Sequence, residues 1–271
     1  MDHFVSGSPR PRIGLYSAGL SAYWSQFSGL RDCLLEYNHF IEAKLASWGD
    51  VINAGIVDTE NSGVQTGELF ASHRVDIIFI HAATYFTSAS ILPIHQLCKA
   101  PSLFLNLQPA AAMNYLHTGT DRWLAQCVAC PLPEAANAFQ RAGIPFRAVN
   151  GLLGLHHTPD FALADETTHL RPEAQLAWKE VEEWCIAAGV THALQNARFG
   201  FLGGYYSGML DMYSDLTALQ AQTGIHVEIL EMCDLSRLLP LVTPEEIKKK
   251  RCLLESFFNI SDDSPSDPIA K

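Results

Sequence analysis

RIGLYSAGLSAYWSQFSGL (12–30), RDCLLEYNHFIEAKLASWG (31–49) and VINAGIV (51–57) decide the architecture of the chain. RIGLY (12–16) and VINAGIV are short, apolar and bounded by Gly, Asp or Asn, which is the pattern of a buried strand. Between them Leu30, Leu34, Tyr37, Ile41 and Leu45 recur at three- and four-residue steps, a helical stripe that Gly49 brings to a stop. A strand, a helix and a second strand in this order imply a parallel pair with a crossover helix. VDIIFIH (75–81), SLFLNL (102–107) and FRAVN (146–150) repeat the strand pattern and complete a first α/β unit over 12–150. In sheets of this kind ligands sit beyond the carboxyl ends of the strands, so the segments after Tyr16, His81 and Leu107 carry the functional interest.

The rest of the chain predicts a second unit. Residues 1–11 are polar and read as a loose lead-in, and GLLGLHHTPDFALADETTHLR (151–171), which lacks a clear period, reads as a crossover between domains. Pro172 opens a helix with Ala177, Val181, Trp184 and Ala188 on one face, and Gly189 is expected to end it. RFGFLGG, a helix around MLDMYSDLTALQAQTG and a strand HVEILEM come next. The last helix of this 172–258 unit starts in a capping box of Thr243 and Glu246, with Pro244 at its first position. Residues 259–271 form an acidic, Ser/Pro-rich tail or linker. The expected fold class is therefore α/β: two doubly wound parallel-sheet (Rossmann-like) units in tandem. The second is incomplete, because two parallel strands are too few to stand alone.

Composition narrows the function. The 271 residues hold 18 basic and 29 acidic side chains, a formal charge of −11, which disfavours nucleic acid and anionic membranes as partners. No apolar run approaches the ~20 residues of a membrane span, and MDHFVSGSPRPR lacks the apolar stretch of a secretory signal, so a cytoplasmic location is expected. Seven scattered cysteines fit a reducing compartment. The Cys127–Cys130 CxxC pair lacks the second pair of a zinc site and reads as structural.

Few motifs carry chemistry. Lys248 to Arg251 read as the solvated face of the last helix. His156, His157, Asp160, Asp165 and His169 match no metal-ligand spacing, and GFLGGYYSG (200–208) is neither GxGxxG nor GxxxxGK[ST]. The segment after the first strand says more. Tyr23, Trp24, Gln26 and Phe27 combine aromatic faces with an amide, as sugar recognition requires: ring C–H faces stack on Trp or Tyr while Gln reads hydroxyls. Thr84, Tyr85, Asn106 and Gln108 add uncharged polar groups at the same edge. The plainer reading of these residues is an aromatic core with polar loop tips.

IGLYSAGLSAYWSQFSGLRDCLLEY, IIFIHAATYFTSAS, ACPLPEAANAFQRAGI and above all ARFGFLGGYYSGMLDMYSDLTALQAQTGIHVEILEMCDL resemble the L-arabinose/L-fucose isomerase superfamily over 12–271. That resemblance implies a ketol isomerase, interconverting an aldose and a ketose with a divalent metal, usually Mn2+, and a carboxylate base. It also implies three domains, hexamers or related homo-oligomers, and active sites that join the C-terminal part of one subunit to the N-terminal domain of a neighbour. The family's metal ligands and catalytic residues lie beyond residue 271, so the resemblance assigns this chain none. It implies instead a substrate-contacting edge: Tyr23, Trp24 and Gln26 in YWSQF, Thr84, Gln108, Glu134 in LPEAANAF, and Met209 in SGMLDMY. Gly204 stands where the family has a histidine. The expectation is thus the monosaccharide-contacting portion of a metal-dependent isomerase. The alternatives are a non-catalytic sugar-binding or regulatory module, or one half of a split enzyme.

Overall fold

A computed structural model describes residues 10–126 and 130–258. Cys127, and with it the CxxC pair, lies outside the described residues, as do 1–9 and the tail. The first strands form one parallel sheet: β1 (Arg12–Ala18), β2 (Asp50–Val57), β3 (Ile77–Ala82), β4 (Ser102–Gln108) and β5 (Phe146–Leu152), in the order β2-β1-β3-β4-β5. This is a doubly wound order, and its switch point lies between β1 and β3, where successive connections leave in opposite directions. β1 and β3 are buried on both sides, which explains why their sequences are almost continuously apolar.

The helices α1 (Leu30–Leu45), α2 (Glu60–His73), α3 (Ser88–Leu97), α4 (Thr120–Gln126) and α5 (Leu132–Arg141) cover the sheet. One core gathers Ile13, Leu15, Phe79, Leu105 and Val149 with Leu34, Tyr37 and Ile41 of α1. The opposite core gathers Tyr16, Ile78, Ile80 and Phe104 with Phe70, Ile94 and Phe139 of α2, α3 and α5. Alternate strand residues therefore feed alternate faces.

Helix α6 (Pro172–Gln195) corrects two expectations. It continues past Gly189, and it packs on the first sheet rather than opening the second unit. Ala177, Trp178, Val181, Cys185 and Ala188 are buried there, and Trp178 Nε1 donates to Leu153 O at 2.9 Å. A mid-helix glycine costs only about 1 kcal/mol relative to alanine. Beyond it, His192 Nδ1 lies 2.9 Å from Asp76 Oδ1, tying the end of the helix to the first unit. Residues 151–171 likewise belong to the first unit, with Leu153, Leu155 and Phe161 in its core, so the division falls between Leu194 and Gln195. The lead-in is also tied down at its end, since the Arg10 guanidinium bonds Asp50 Oδ1, Ala46 O and Gly49 O.

The second unit contains β6 (Arg198–Leu202), α7 (Leu216–Thr223), β7 (His226–Leu230), α8 (Met232–Leu238), a 3-10 turn (Leu239–Leu241) and α9 (Pro244–Phe257). β6 and β7 pair in parallel as an incomplete two-stranded sheet. The capping box of α9 forms as expected, with Glu246 N donating to Thr243 Oγ1 and Thr243 N to Glu246 Oε2. The helix expected around Met209 is shorter, beginning only after Asp215, whose carboxylate accepts from Thr217 N and Ala218 N. None of the described residues of this unit is buried. No described helix is long and apolar enough to cross a membrane.

Gly151 shows how closely α6 seats on β5, because a Cβ added there would meet Glu173 O at 2.4 Å and Ala177 Cβ at 2.9 Å. Gly151→Ala is expected to lower stability by about 1–3 kcal/mol through overpacking. Gly204→Ala, where a Cβ meets open space, is expected to change it by less than about 0.5 kcal/mol. Chemical denaturation of the two variants checks both values.

Candidate functional site

The carboxyl ends of β1, β3 and β4 meet in register, with Ser17 beside His81 and His81 beside Leu105. The chain leaves β1 through Gly19, where a Cβ would lie 3.0 Å from the Trp24 ring, so glycine lets the indole rest on the backbone. Trp24 Nε1 donates to Asp58 Oδ2, just beyond β2, at 2.6 Å. Residues 20–29 are held by turn bonds, including Tyr23 N to Leu20 O at 3.0 Å and Phe27 N to Tyr23 O at 2.9 Å, and Gly29 at φ 81° leads into α1. The Tyr23 and Phe27 rings meet edge to face at 5.7 Å. Both, with Trp24, pack half-buried on the α1-side core.

The other expected residues take different positions. Gln26 is exposed, with its amide nitrogen donating to Ala22 O at 2.7 Å. Thr84 is fully buried beyond β3, and its Oγ1 has no hydrogen-bond partner among the described residues. Gln108 ends β4 and lines a 520 Å³ cavity with Met113, Asn114, Tyr115 and Gln126. Gln126 clamps the Ala110 backbone through both ends of its amide and reaches Gln108 Oε1 at 3.4 Å. Glu134 has a structural occupation: its carboxylate accepts from Ser88 N at 3.1 Å and from Ser88 Oγ. It thereby caps α3, whose own N-cap residue Thr87 makes no side-chain cap bond. Met209 belongs to the second unit, half exposed between β6 and α7. The structure thus brings six of the seven residues to the carboxyl side of the first sheet, and Met209 belongs to the second unit.

The charge pattern of this edge escapes single-residue reading. The segments 18–29, 82–92 and 106–118 contain no Asp, Glu, Lys or Arg, in a chain with 18 basic and 29 acidic side chains. The edge offers aromatic faces, hydroxyls and amides, which suit an uncharged polar ligand and give a phosphate or carboxylate no counter-charge.

Sequence reasoning missed a buried polar chain beneath the edge. Gly55 N donates to Asn53 Oδ1 at 2.9 Å, Asn53 Nδ2 to Asn38 Oδ1 at 2.7 Å, and Asn38 Nδ2 to Ser17 Oγ at 2.9 Å. Ser17 Oγ lies 2.9 Å from His81 Nδ1. The signal was Asn38, a polar residue on the apolar face of α1. Burial pushes His81 down to about 3, so its imidazole is neutral at physiological pH. On the other face His95 is also pushed to about 3, by burial and then by Lys99, but both its ring nitrogens are engaged, by Tyr16 and Ser102.

No described residues gather into a metal centre. Among them no three His, Cys, Asp or Glu side chains are placed to hold an ion. The His156 and His169 rings lie 4.3 Å apart at a tilt of 39°, and Asp160 pairs with Arg122 at 2.7 Å. GFLGGYYSG leads from β6 into turns rather than directly into a helix, and the first turn of α7 is occupied by Asp215.

No protein-family model matches the chain, and no curated protein matches it. Among solved structures, the chain is similar to the ligand-free, open structure of a substrate-binding protein with adhesive properties from Clostridium difficile. The identity is 10%, the TM-score 0.25, and the match covers 90% of this chain. The chain spans 62% of the length of that protein.

The buried histidines and the Glu134 cap each predict a stability effect. Because His81 and His95 bind fewer protons folded than unfolded, stability rises with pH through their interval and is lost as pH falls below the unfolded value near 6.5. Between pH 6.5 and 5 the unfolding free energy should fall by about 1 kcal/mol per pH unit for each histidine. Urea titrations of wild type and His95→Gln check this, with a shallower slope expected in the variant. Glu134→Ala should cost roughly 0.5–2 kcal/mol as a lost cap, measured by thermal unfolding.

Proposed function

We propose that the chain is the sugar-recognition portion of a metal-dependent aldose–ketose isomerase, contributing uncharged contacts to a monosaccharide such as L-arabinose or L-fucose. The observation that carries the reading is that the segments after β1, β3 and β4 hold no charged side chain, with Trp24 and Tyr23 among them, while the neighbouring carboxylates of Asp58 and Glu134 are engaged by Trp24 and Ser88. A neutral polyol gains from aromatic C–H faces and from groups that both donate and accept, and requires no ion pair. The resemblance of YWSQF, HAATYFTS and the SGMLDMY region to the arabinose/fucose isomerase superfamily supports the same class of ligand.

Manganese does not fit the described residues, because no three donor side chains converge. The proposal therefore gives this chain no catalytic step, and leaves the metal, the carboxylate base and a homo-oligomeric partner edge to the complete enzyme. The unburied second unit favours a reading in which further polypeptide completes it, in the same chain or another.

Trp24 supplies the assay. Titration of the 271-residue protein with L-arabinose and L-fucose should change tryptophan fluorescence with a roughly millimolar Kd, about −4 kcal/mol. Trp24→Phe should shrink the signal while retaining binding by calorimetry, and Trp24→Ala should weaken binding. No binding of any pentose or 6-deoxyhexose contradicts the proposal. Manganese-dependent isomerisation by this chain alone contradicts its restriction to recognition.

A further inference from the structure

We infer that His81 is a ligand-reading residue of the β1–β3 switch point, its ring held as the Nε2–H tautomer so that it donates to an uncharged ligand oxygen. This deepens the sugar-recognition reading and rests on it for the class of ligand, but the position of the donor comes from the structure alone.

The relay of donors starts at the β2 edge. A bulge at Gly55, φ 70°, shifts the register of β2 against β1 between Leu15 and Ser17 and turns the Gly55 N–H onto Asn53. From there every donor points the same way: Gly55 to Asn53, Asn53 to Asn38, and Asn38 to Ser17. Ser17 Oγ accepts from Asn38 and lies 2.9 Å from His81 Nδ1, and we assign its own proton to that nitrogen. The ring proton is then on Nε2. That nitrogen is fully buried and has no partner among the described residues, and neither does Thr84 Oγ1 three residues on. An unmet buried donor is costly, and such groups in native proteins call for an explanation.

Position supplies the explanation. His81 follows Phe79 and precedes Ala83 on the α1-facing side of β3, the face on which Tyr23, Trp24 and Phe27 pack. The aromatic segment after β1 packs on that same face, held by turn bonds and by Trp24 to Asp58. The inference requires that segment to yield when a ligand reaches the donor. A neutral imidazole N–H with a threonine hydroxyl nearby in sequence, and no charge in the surrounding segments, selects a hydroxyl or carbonyl oxygen over an anion. Because the ring remains neutral across physiological pH, the donor does not switch off as pH varies near neutrality.

The test reads the tautomer first. Long-range 1H–15N spectra of the free protein should show His81 protonated on Nε2, and Ser17→Ala should abolish that preference. A wild-type Nδ1–H tautomer overturns the relay. L-arabinose at saturation should then shift the Nε2 resonance. His81→Phe should weaken binding about tenfold, and His81→Gln, which keeps an N–H donor, should restore most of it. Should the phenylalanine variant not fold, the glutamine variant and the wild-type shift decide. Unchanged affinity in the folded variants, with Trp24→Ala still impaired, overturns the role of His81 and leaves the sugar reading standing. If wild type binds no monosaccharide, the sugar reading falls, and a glycerol titration decides His81: a moved Nε2 resonance supports it, and an unmoved one overturns it.

Discussion

Parallel pairing of β1 with both β2 and β3 is the constraint on which the first unit depends. It buries β1 on both faces, so every residue from Ile13 to Ala18 must satisfy a dry environment. Apolar side chains do so by packing. The Tyr16 hydroxyl does so against His95, and Ser17 by joining a hydrogen-bond chain that crosses from the β2 bulge through α1 to His81. The same pairing creates the switch point, because the connections after β1 and β3 leave toward opposite faces. The switch point and the buried His81 thus have one topological origin. Trp24 links them to the surface, resting on Gly19 at the end of β1 and reaching across to Asp58 beyond β2.

Much of this was legible in the residues. Short apolar runs bounded by Gly, Pro, Asp or Asn located the five strands to within a few residues, because buried parallel strands leave little freedom of composition. Thr243, Pro244 and Glu246 placed the start of α9, since capping chemistry is local. Gly189 misled because tertiary contacts decide where this helix ends: the His192–Asp76 contact spans 116 residues and no local rule sees it. The domain boundary moved for the same reason. α6 is amphipathic in sequence, but nothing local states which sheet its apolar face will cover. Glu134 entered only through the family resemblance and was not legible as a cap, because its partner Ser88 lies on another helix.

The two units differ in what holds them. The first has a core on each face of its sheet. The second has paired strands, a capped helix and ion pairs such as Arg251 with Glu255, but Phe199, Leu210, Tyr213 and Leu241 remain exposed. Hydrogen-bonded elements without burial gain little of the apolar transfer energy that stabilises a domain. The first unit is thus stabilised by burial, and the described part of the second mainly by hydrogen bonds and ion pairs. Met209, whose assignment rests on the resemblance alone, belongs to that second unit.

Chemical-shift mapping tests the central claim most directly. Isotope-labelled protein titrated with L-arabinose should show its largest backbone shifts in 19–27, 81–86 and 106–108, and little change in 195–258. Shifts concentrated elsewhere, or none at saturating sugar, would contradict the assignment of the switch-point edge as a site for a neutral sugar.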